Sequence, residues 1–394
     1  MRSRFWACLA VAAICLTGCK GFWNALPSTG GGGSGSTTLS SGDIYVLNVA
    51  TSQMVGLYVN AGTLTTLAGS PYTLSAAPIA ITVAPNNAFL YVSTLGGIFV
   101  YNVNTSSGQL TVGNSGQPIS SDPATSLQVD STNTWLVEGV SGTSNLFAIH
   151  VNASTGLLAS NTEQTVVLPS TSLQQVALSP DDTTVLAAMG SGGTAIIGFN
   201  PNNANPFGAV ANIGVKNASG AALSVAFDPI VTGSTAPRLF YIGETVATSG
   251  SNTGGLRVVN FSTRQEISGS PYAIGGLAPS SILPLSTGDY VYVASRQTSS
   301  GATAPSVIAG FSITSANSAF TLTALGTPTF ATGITPQSIV EDSTHAFVFA
   351  ADSGGSPDLI GYIFDTTTAG NLDKVISNAT GTDPVQASAV AALH

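Results

Sequence analysis

Short apolar runs separated by polar turns recur along residues 43–394, with a period of roughly 40–60 residues. Each unit has an apolar first strand, a polar turn, a second strand rich in aromatic and β-branched residues, a Gly/Ser loop, and then a third and a fourth strand. Such runs, bounded by turn residues, predict β-strands. The clearest unit predicts strands at Ile79–Ala84, Phe89–Ser93, Ile98–Val103 and Gln109–Gly113.

Six units of this kind are complete. They start near residues 78, 123, 172, 221, 279 and 336. Between their first two strands lie polar inserts such as Ser179-Pro180-Asp181-Asp182, whose side chains can bond their own backbone and end the strand. Regular units of four short strands predict an all-β protein.

Two incomplete units stand at the ends of the repeat region. Residues 43–75 predict only the second to fourth strands, and Val385–Ala392 predicts a lone first strand after the last fourth strand, Leu372–Ser377. Joining the two pieces would remove the open sheet edge of an unclosed array. The predicted fold is therefore all-β: a seven-bladed β-propeller of four-stranded blades, closed by the C-terminal strand completing the N-terminal blade.

The repeat also resembles a known family. The segments that carry the resemblance are Phe89-Leu90-Tyr91-Val92-Ser93, Tyr290-Val291-Tyr292-Val293-Ala294, Ser179-Pro180-Asp181-Asp182, Gly69-Ser70-Pro71-Tyr72 and Gly269-Ser270-Pro271-Tyr272. They resemble the lactonase-like, 6-phosphogluconolactonase-type seven-bladed propellers, which are related to YVTN-type repeats. The resemblance covers about residues 43–394. It implies the propeller architecture and, as one expectation, hydrolysis of a sugar lactone at the channel mouth.

The first 42 residues predict a bacterial lipoprotein leader and a tether. Arg2 and Arg4 precede the apolar stretch Phe5–Leu16, which is too short to span a bilayer. Leu16-Thr17-Gly18-Cys19 resembles the lipobox, which implies cleavage before Cys19 and lipid on its sulfur. An ordinary secretory signal with a chance cysteine remains the alternative.

The predicted domains are a signal peptide at 1–18, lipidated Cys19 with a Gly/Ser-rich tether at 19–42, and the propeller at 43–394. The anchor places the chain in the cell envelope, held by lipid to a membrane. By family resemblance, Lys20 rather than an aspartate after Cys19 favours the outer membrane.

Composition excludes two classes of protein. Only 7% of residues are charged and 43% are hydrophobic, which is too apolar for a disordered chain. Without the leader, 18 acidic and seven basic side chains remain, a net charge near −11. Scattered single cations on an acidic chain do not favour nucleic-acid binding.

Four charged residues at the ends of second strands are candidate ligand-binding residues: Glu138, Glu244, Arg296 and Asp352. The loops that follow these strands share one propeller face with the connections between blades. If the four side chains converge, Arg296 could hold a carboxylate or phosphate and the carboxylates could accept sugar hydroxyls. The alternative is that all four are solvated rim charges.

The first-strand positions that could face the channel are neutral: Gln128, Gln174, Ser224, Ser281, Gln337 and Gln386. A neutral ring suits a polar ligand better than bond breaking, and the three histidines lie away from the channel. We therefore predict no catalytic residue, no metal site and no cofactor. The favoured function is a monomeric binding or interaction module for a glycan, peptide or partner protein. A lactonase-like hydrolase is the alternative.

Overall fold

The computed structural model describes residues 40–159, 162–247, 253–296, 306–316, 319–374, 377–378 and 383–394. The predicted signal peptide, Cys19 and most of the tether lie outside the described residues. In the described part, β-strands form seven sheets, and one 3₁₀ turn, Asn114–Gly116, is present. None of the helices described there is long and apolar enough to cross a membrane.

Blades 1 to 4 follow each other along the chain. Blade 1 contains β1 (Ile44–Asn48), β2 (Gln53–Asn60), β3 (Thr63–Thr66) and the short β4 (Tyr72–Thr73). Blade 2 contains β5 (Pro78–Val83), β6 (Phe89–Thr94), β7 (Gly97–Val103) and β8 (Leu110–Val112). Blade 3 contains β9 (Ser126–Val129), β10 (Trp135–Gly139), β11 (Asn145–His150) and β12 (Gln164–Val167). Blade 4 contains β13 (Gln175–Leu178), β14 (Thr184–Ala188), β15 (Thr194–Phe199) and β16 (Phe207–Ile213).

Blades 5 to 7 have the same order. Blade 5 contains β17 (Ala222–Phe227), β18 (Leu239–Glu244), β19 (Gly255–Asn260) and β20 (Tyr272–Ala273). Blade 6 contains β21 (Ala278–Pro284), β22 (Tyr290–Arg296), β23 (Val307–Ala316) and β24 (Ala319–Ala331). Blade 7 contains β25 (Ile334–Glu341), β26 (Phe347–Gly354), β27 (Leu359–Phe364) and β28 (Leu372–Lys374). Two further strands, β29 (Ser377–Asn378) and β30 (Ala387–Ala392), join blade 1.

The last strand closes the ring. β30 pairs antiparallel with β1, with Ile44 opposite Ala392 and Val46 opposite Val390. The chain end is then held in the next blade, because the backbone N–H of His394 donates to Asn87 Oδ1 at 2.8 Å. The predicted seven blades, and their closure by the C-terminal strand, are confirmed.

One strand differs from the prediction. The fourth strand of blade 7 was expected to run to Ser377, but it ends at Lys374, and β29 pairs in parallel with β3 of blade 1. Without β29, β3 would be the edge strand of the blade 1 sheet. Its unpaired backbone groups can therefore bond β29, which lies between blade 7 and β30 in the sequence.

Each junction between neighbouring blades holds its own apolar cluster. Seven clusters occur among the described residues, and each combines residues from two consecutive blades. At the junction between blades 7 and 1, Ile44 and Val46 pack with Phe347, Phe349 and Val390. The core of the propeller therefore lies between the sheets, where the alternate faces of each strand meet a neighbour.

Two kinds of hydrogen bond also join the blades. Ser126 Oγ accepts the Val176 N–H of the next blade at 3.1 Å, and other first strands carry similar bonds. Farther out, the Tyr91 hydroxyl donates to the Gly156 carbonyl of the next blade at 3.0 Å. Two more second-strand tyrosines bond a turn glycine in the same way, Tyr45 to Gly108 and Tyr292 to Gly370.

The closing strand provides the first prediction. Val390 is 7% exposed inside the cluster at the blade 7 and blade 1 junction, so Val390→Asp places an unpaired charge in that core. We expect the free energy of unfolding, measured by urea denaturation, to fall by about 3 kcal/mol or more. The matched control is Val385→Asp, which precedes β30 at 52% exposure and should change stability by less than about 0.5 kcal/mol. Equal stability of the two variants would contradict the proposed role of the closure.

Candidate functional site

A central cavity of about 530 Å³ runs between the inner edges of the blades. The first strands of all seven blades contribute to its lining, including β30 of blade 1. The lining is mostly neutral, and it mixes aliphatic side chains with Ser, Thr and Gln. This cavity is large enough to admit a small polar ligand.

β-Bulges direct a set of side chains into this cavity. In five blades the pairing of the first strand with the second slips by one residue near the start of the first strand. The residues at these slips all line the cavity: Ile79, Leu223, Ser280, Gln337 and Ser388. In the remaining two blades, Thr125 and Gln174 line the cavity just before their first strands. Bulges often redirect side chains in this way near binding sites.

Arg296 is the one charged residue in the described lining of the cavity, and the one that comes from a second strand. It ends β22, is partly buried, and donates from Nη1 to Gln337 Oε1 at 2.8 Å across the junction of blades 6 and 7. No salt bridge to it occurs among the described residues. Burial lowers the pKa of Arg296, because no nearby anion compensates for its loss of water.

The predicted neutral channel is observed in large part. Gln128, Gln174, Ser281 and Gln337 line the cavity. Ser224 is buried and instead donates to the Pro279 carbonyl of the next blade at 3.0 Å. Gln386 is exposed just before β30, and Ser388 lies in the lining of that blade.

Glu244 ends β18, as expected, but is fully buried in an ion network. Arg257 Nη1 donates to Glu244 Oε1 at 2.6 Å, and its Nη2 donates to Glu266 Oε1 at 2.7 Å. Lys216 donates its backbone N–H to Glu244 and its Nζ to Glu266. Burial of Glu266 is outweighed by its bonds to Arg257, which hold the pKa of that carboxyl below its usual value. Glu244 therefore belongs to a buried ion network that joins parts of the fold, away from the cavity lining.

Asp352 is also fully buried, near the end of β26. Its register partner is Pro336, the neighbour of Gln337 in the cavity lining. Thr332 Oγ1 donates to the Asp352 carboxylate at 2.9 Å. A Cβ on Gly333 would lie only 2.8 Å from Asp352 Cβ and Cγ, so the backbone can pack this closely against Asp352 because residue 333 is glycine. Burial raises the pKa of Asp352 to about 7, against the lowering effect of the Thr332 bond.

Glu138 lies in β10 and is likewise fully buried. It does not line the central cavity but faces two other carboxylates, Asp122 and Glu163, in the same region of blade 3. Neither of these two was singled out from the sequence, because they are 16 and 25 positions from Glu138 and form no metal-binding motif. These three residues are the described group that could hold a metal ion.

The four candidate residues thus do not form one cluster in the described part of the chain. Arg296 reaches the cavity, while Glu138, Glu244 and Asp352 are buried within three other blades. The sequence pattern predicts where each second strand ends. It does not predict which buried partner a charged residue meets, because a partner such as Arg257 comes from a different strand. The ligand-binding role of the four residues stays a prediction.

Comparison with known proteins agrees with this architecture. Residues 41–187 match the family model "Lactonase, 7-bladed beta-propeller". The chain has the lactonase-type seven-bladed propeller fold. This confirms the predicted resemblance. No curated protein matches the chain.

Solved structures with the lactonase-type fold cover almost the whole chain. A candidate 6-phosphogluconolactonase from Bacteroides fragilis has a TM-score of 0.67 at 14% identity, over 91% of this chain and 99% of that one. A second, from Bacteroides uniformis, has a TM-score of 0.68 at 14% identity, over 89% and 98%. The periplasmic gluconolactonase PpgL of Pseudomonas aeruginosa has a TM-score of 0.62 at 15% identity, over 89% and 98%. At such identities the likeness establishes the fold alone.

The ion network of blade 5 provides the second prediction. Arg257→Met removes the cation that faces the buried Glu244, so we expect the free energy of unfolding to fall by about 3–5 kcal/mol in urea denaturation. Lys216→Met is the matched control, because its side chain is 41% exposed and should cost less than about 1 kcal/mol. If Arg257→Met were as mild as the control, the network would not hold blade 5 together.

Proposed function

We propose that the lactonase-type propeller binds a sugar-derived lactone at the Arg296 mouth and hydrolyses it. The Arg296 mouth is the end of the cavity lined by Arg296, Gln337, Ser280 and Ser388. The observation that carries the proposal is the partly buried guanidinium, which lacks an anionic partner among the described residues at the edge of a neutral cavity. Such a group gains most by pairing with a carboxylate, a phosphate or a developing oxyanion.

The chemistry fits this mouth in outline. Water attacks the lactone carbonyl carbon and negative charge develops on the carbonyl oxygen. The ring C–O bond then breaks, and the proton that the water gives up goes to the ring oxygen, so the product is the open-chain hydroxy acid. Arg296 can stabilise the developing charge, or hold a phosphate on the substrate, while Gln337 keeps its guanidinium in place. Neutral Ser and Gln side chains of the lining can bond sugar hydroxyls. The structurally similar Pseudomonas aeruginosa protein PpgL is a gluconolactonase, which supports this choice of substrate class.

A second candidate function is binding without turnover, to a glycan, peptide or partner protein. One observation favours it: among the described residues that line the cavity there is no carboxylate and no histidine to activate a water molecule. Under this alternative, Arg296 would hold an acidic group of the ligand, and the cavity would release it unchanged.

The third prediction separates the two functions. Acid release from glucono-δ-lactone and from its 6-phosphate is measured with a pH indicator, and the spontaneous rate in buffer is subtracted. We expect the purified protein to accelerate the release, and Arg296→Ala to lower kcat/KM by about 100-fold, as for the loss of an oxyanion donor. Lys374→Ala, an exposed substitution on β28, should leave kcat/KM unchanged.

Absence of turnover on both lactones would contradict the hydrolase. Calorimetric titration with gluconate and 6-phosphogluconate then tests the binding candidate, which expects binding that is lost in Arg296→Ala. If the protein neither turns over the lactones nor binds the acids, the role of Arg296 as an anion-binding residue is wrong.

We also propose that Cys19 carries lipid and anchors the protein in the cell envelope, at the outer membrane. The support is the leader pattern: two arginines, a short apolar stretch and Leu16-Thr17-Gly18-Cys19. The Gly/Ser-rich tether between Cys19 and the propeller would then separate the propeller from the lipid headgroups.

The fourth prediction concerns this anchor. In cells fed an alkyne analogue of palmitate, we expect the protein to carry the label and to fractionate with outer membranes. Cys19→Ser should abolish the label, whereas the matched control Cys15→Ser, within the apolar stretch, should retain it. A label that survives Cys19→Ser would show that the lipobox assignment is wrong.

A further inference from the structure

Three carboxylates meet in blade 3, outside the central cavity. One oxygen from each of Asp122, Glu138 and Glu163 lies within 4.8 Å of the others. Asp122 is on the connection from blade 2 to blade 3, Glu138 is on β10, and Glu163 directly precedes β12. The group therefore joins the entry of the blade to its second strand and its outer strand.

The middle carboxylate is in an unusual position for an acid. Glu138 is 0% exposed, and neither of its two oxygens has a hydrogen-bond partner among the described residues. A buried anion without partners costs several kcal/mol, so such groups are normally neutralised by a cation or by a proton. Glu138 therefore needs something that the protein side chains around it do not supply.

No cation of the described part of the chain supplies it. Every salt bridge among the described residues involves other carboxylates, so Lys and Arg do not balance this group. Burial, and then the negative charges of Asp122 and Glu163, raise the pKa of Glu138 to about 8. Three carboxylate oxygens within 4.8 Å of one another, one of them on a fully buried side chain without a partner, are a geometry that can bind a metal cation.

We propose that Asp122, Glu138 and Glu163 bind one divalent cation of the Ca²⁺ type. All three donors are carboxylate oxygens, which hard cations prefer, and they combine a buried ligand with a half-buried and an exposed one. The exposed side, at Glu163, leaves access for the ion and for the waters that complete its coordination. Calcium accepts such irregular, partly hydrated sites more readily than magnesium.

The consequence of this ion would be mechanical. It would tie the connection that enters blade 3 to the second strand of that blade and to the residue that leads into its outer strand. Binding to the folded protein alone would stabilise it in proportion to the logarithm of the ion concentration. The inference does not rest on the lactonase proposal, because none of the three residues lines the central cavity.

The fifth prediction tests this site on chelator-treated protein. The thermal unfolding midpoint should rise by several degrees with Ca²⁺ at about 1 mM, and calorimetric titration should give one ion per chain. Mg²⁺ at the same concentration should have a smaller effect. Glu138→Gln should lose the Ca²⁺-dependent shift, and Glu163→Gln, at an exposed position that does not disturb the core, should weaken the binding measurably.

Asp373→Asn, an exposed acid on β28, is the control and should keep the full Ca²⁺ response. The proposal is overturned if neither ion binds or shifts the midpoint. We would then expect Glu138→Gln to be more stable than the parent at neutral pH. That outcome would mean that Glu138 is held as a neutral, protonated acid. A Ca²⁺ response that persists in both Glu138→Gln and Glu163→Gln would place the ion elsewhere.

Discussion

The pairing of β30 with β1 is the constraint on which this structure depends. A blade of the propeller can bury its two faces only against two neighbours, and blade 1 gains its inner strand only from the far end of the chain. The two interfaces of blade 1 and the continuous channel therefore all require the contact between Ile44–Asn48 and Ala387–Ala392. The last strand thus belongs to the scaffold of the cavity and also contributes Ser388 to its lining.

The repeated bonds between blades show how the ring keeps its register. First-strand side chains such as Ser126 bond the next blade near the axis, and second-strand tyrosines such as Tyr91 do so farther out. The junction of blades 6 and 7 has both kinds of bond, from Ser281 and Tyr292. The tyrosine bonds a glycine carbonyl in a turn where the glycine φ is positive, 69° for Gly156, which explains glycine at that turn. At the junction of blades 6 and 7, these two contacts at different radii hold the angle between the sheets together with the apolar cluster that lies between them.

Much of this architecture was predictable from the sequence, because alternating apolar residues and polar turns are local signals. The second strand around Tyr91, the missing first strand of blade 1 and the spare strand after residue 383 all follow from them. The partners of buried charges were not predictable. Glu244 meets Arg257 on the neighbouring strand, and Glu138 meets Asp122 and Glu163, because of sheet register and side-chain direction. A charged residue at a strand end can be buried or solvated, and the sequence pattern around it is the same in both cases.

The β-bulges at the start of the first strands have a consequence for variation in this architecture. A bulged residue stands outside the paired register and its side chain lines the cavity, so substitutions there can change the lining while the strand pairing on either side is kept. The five bulged residues already range from Ile79 and Leu223 to Ser280, Ser388 and Gln337. The mouth can therefore acquire a new chemical character by substitutions at these points, while the sheets that carry it stay the same. Ligand preference in such a ring can diverge faster than its stability.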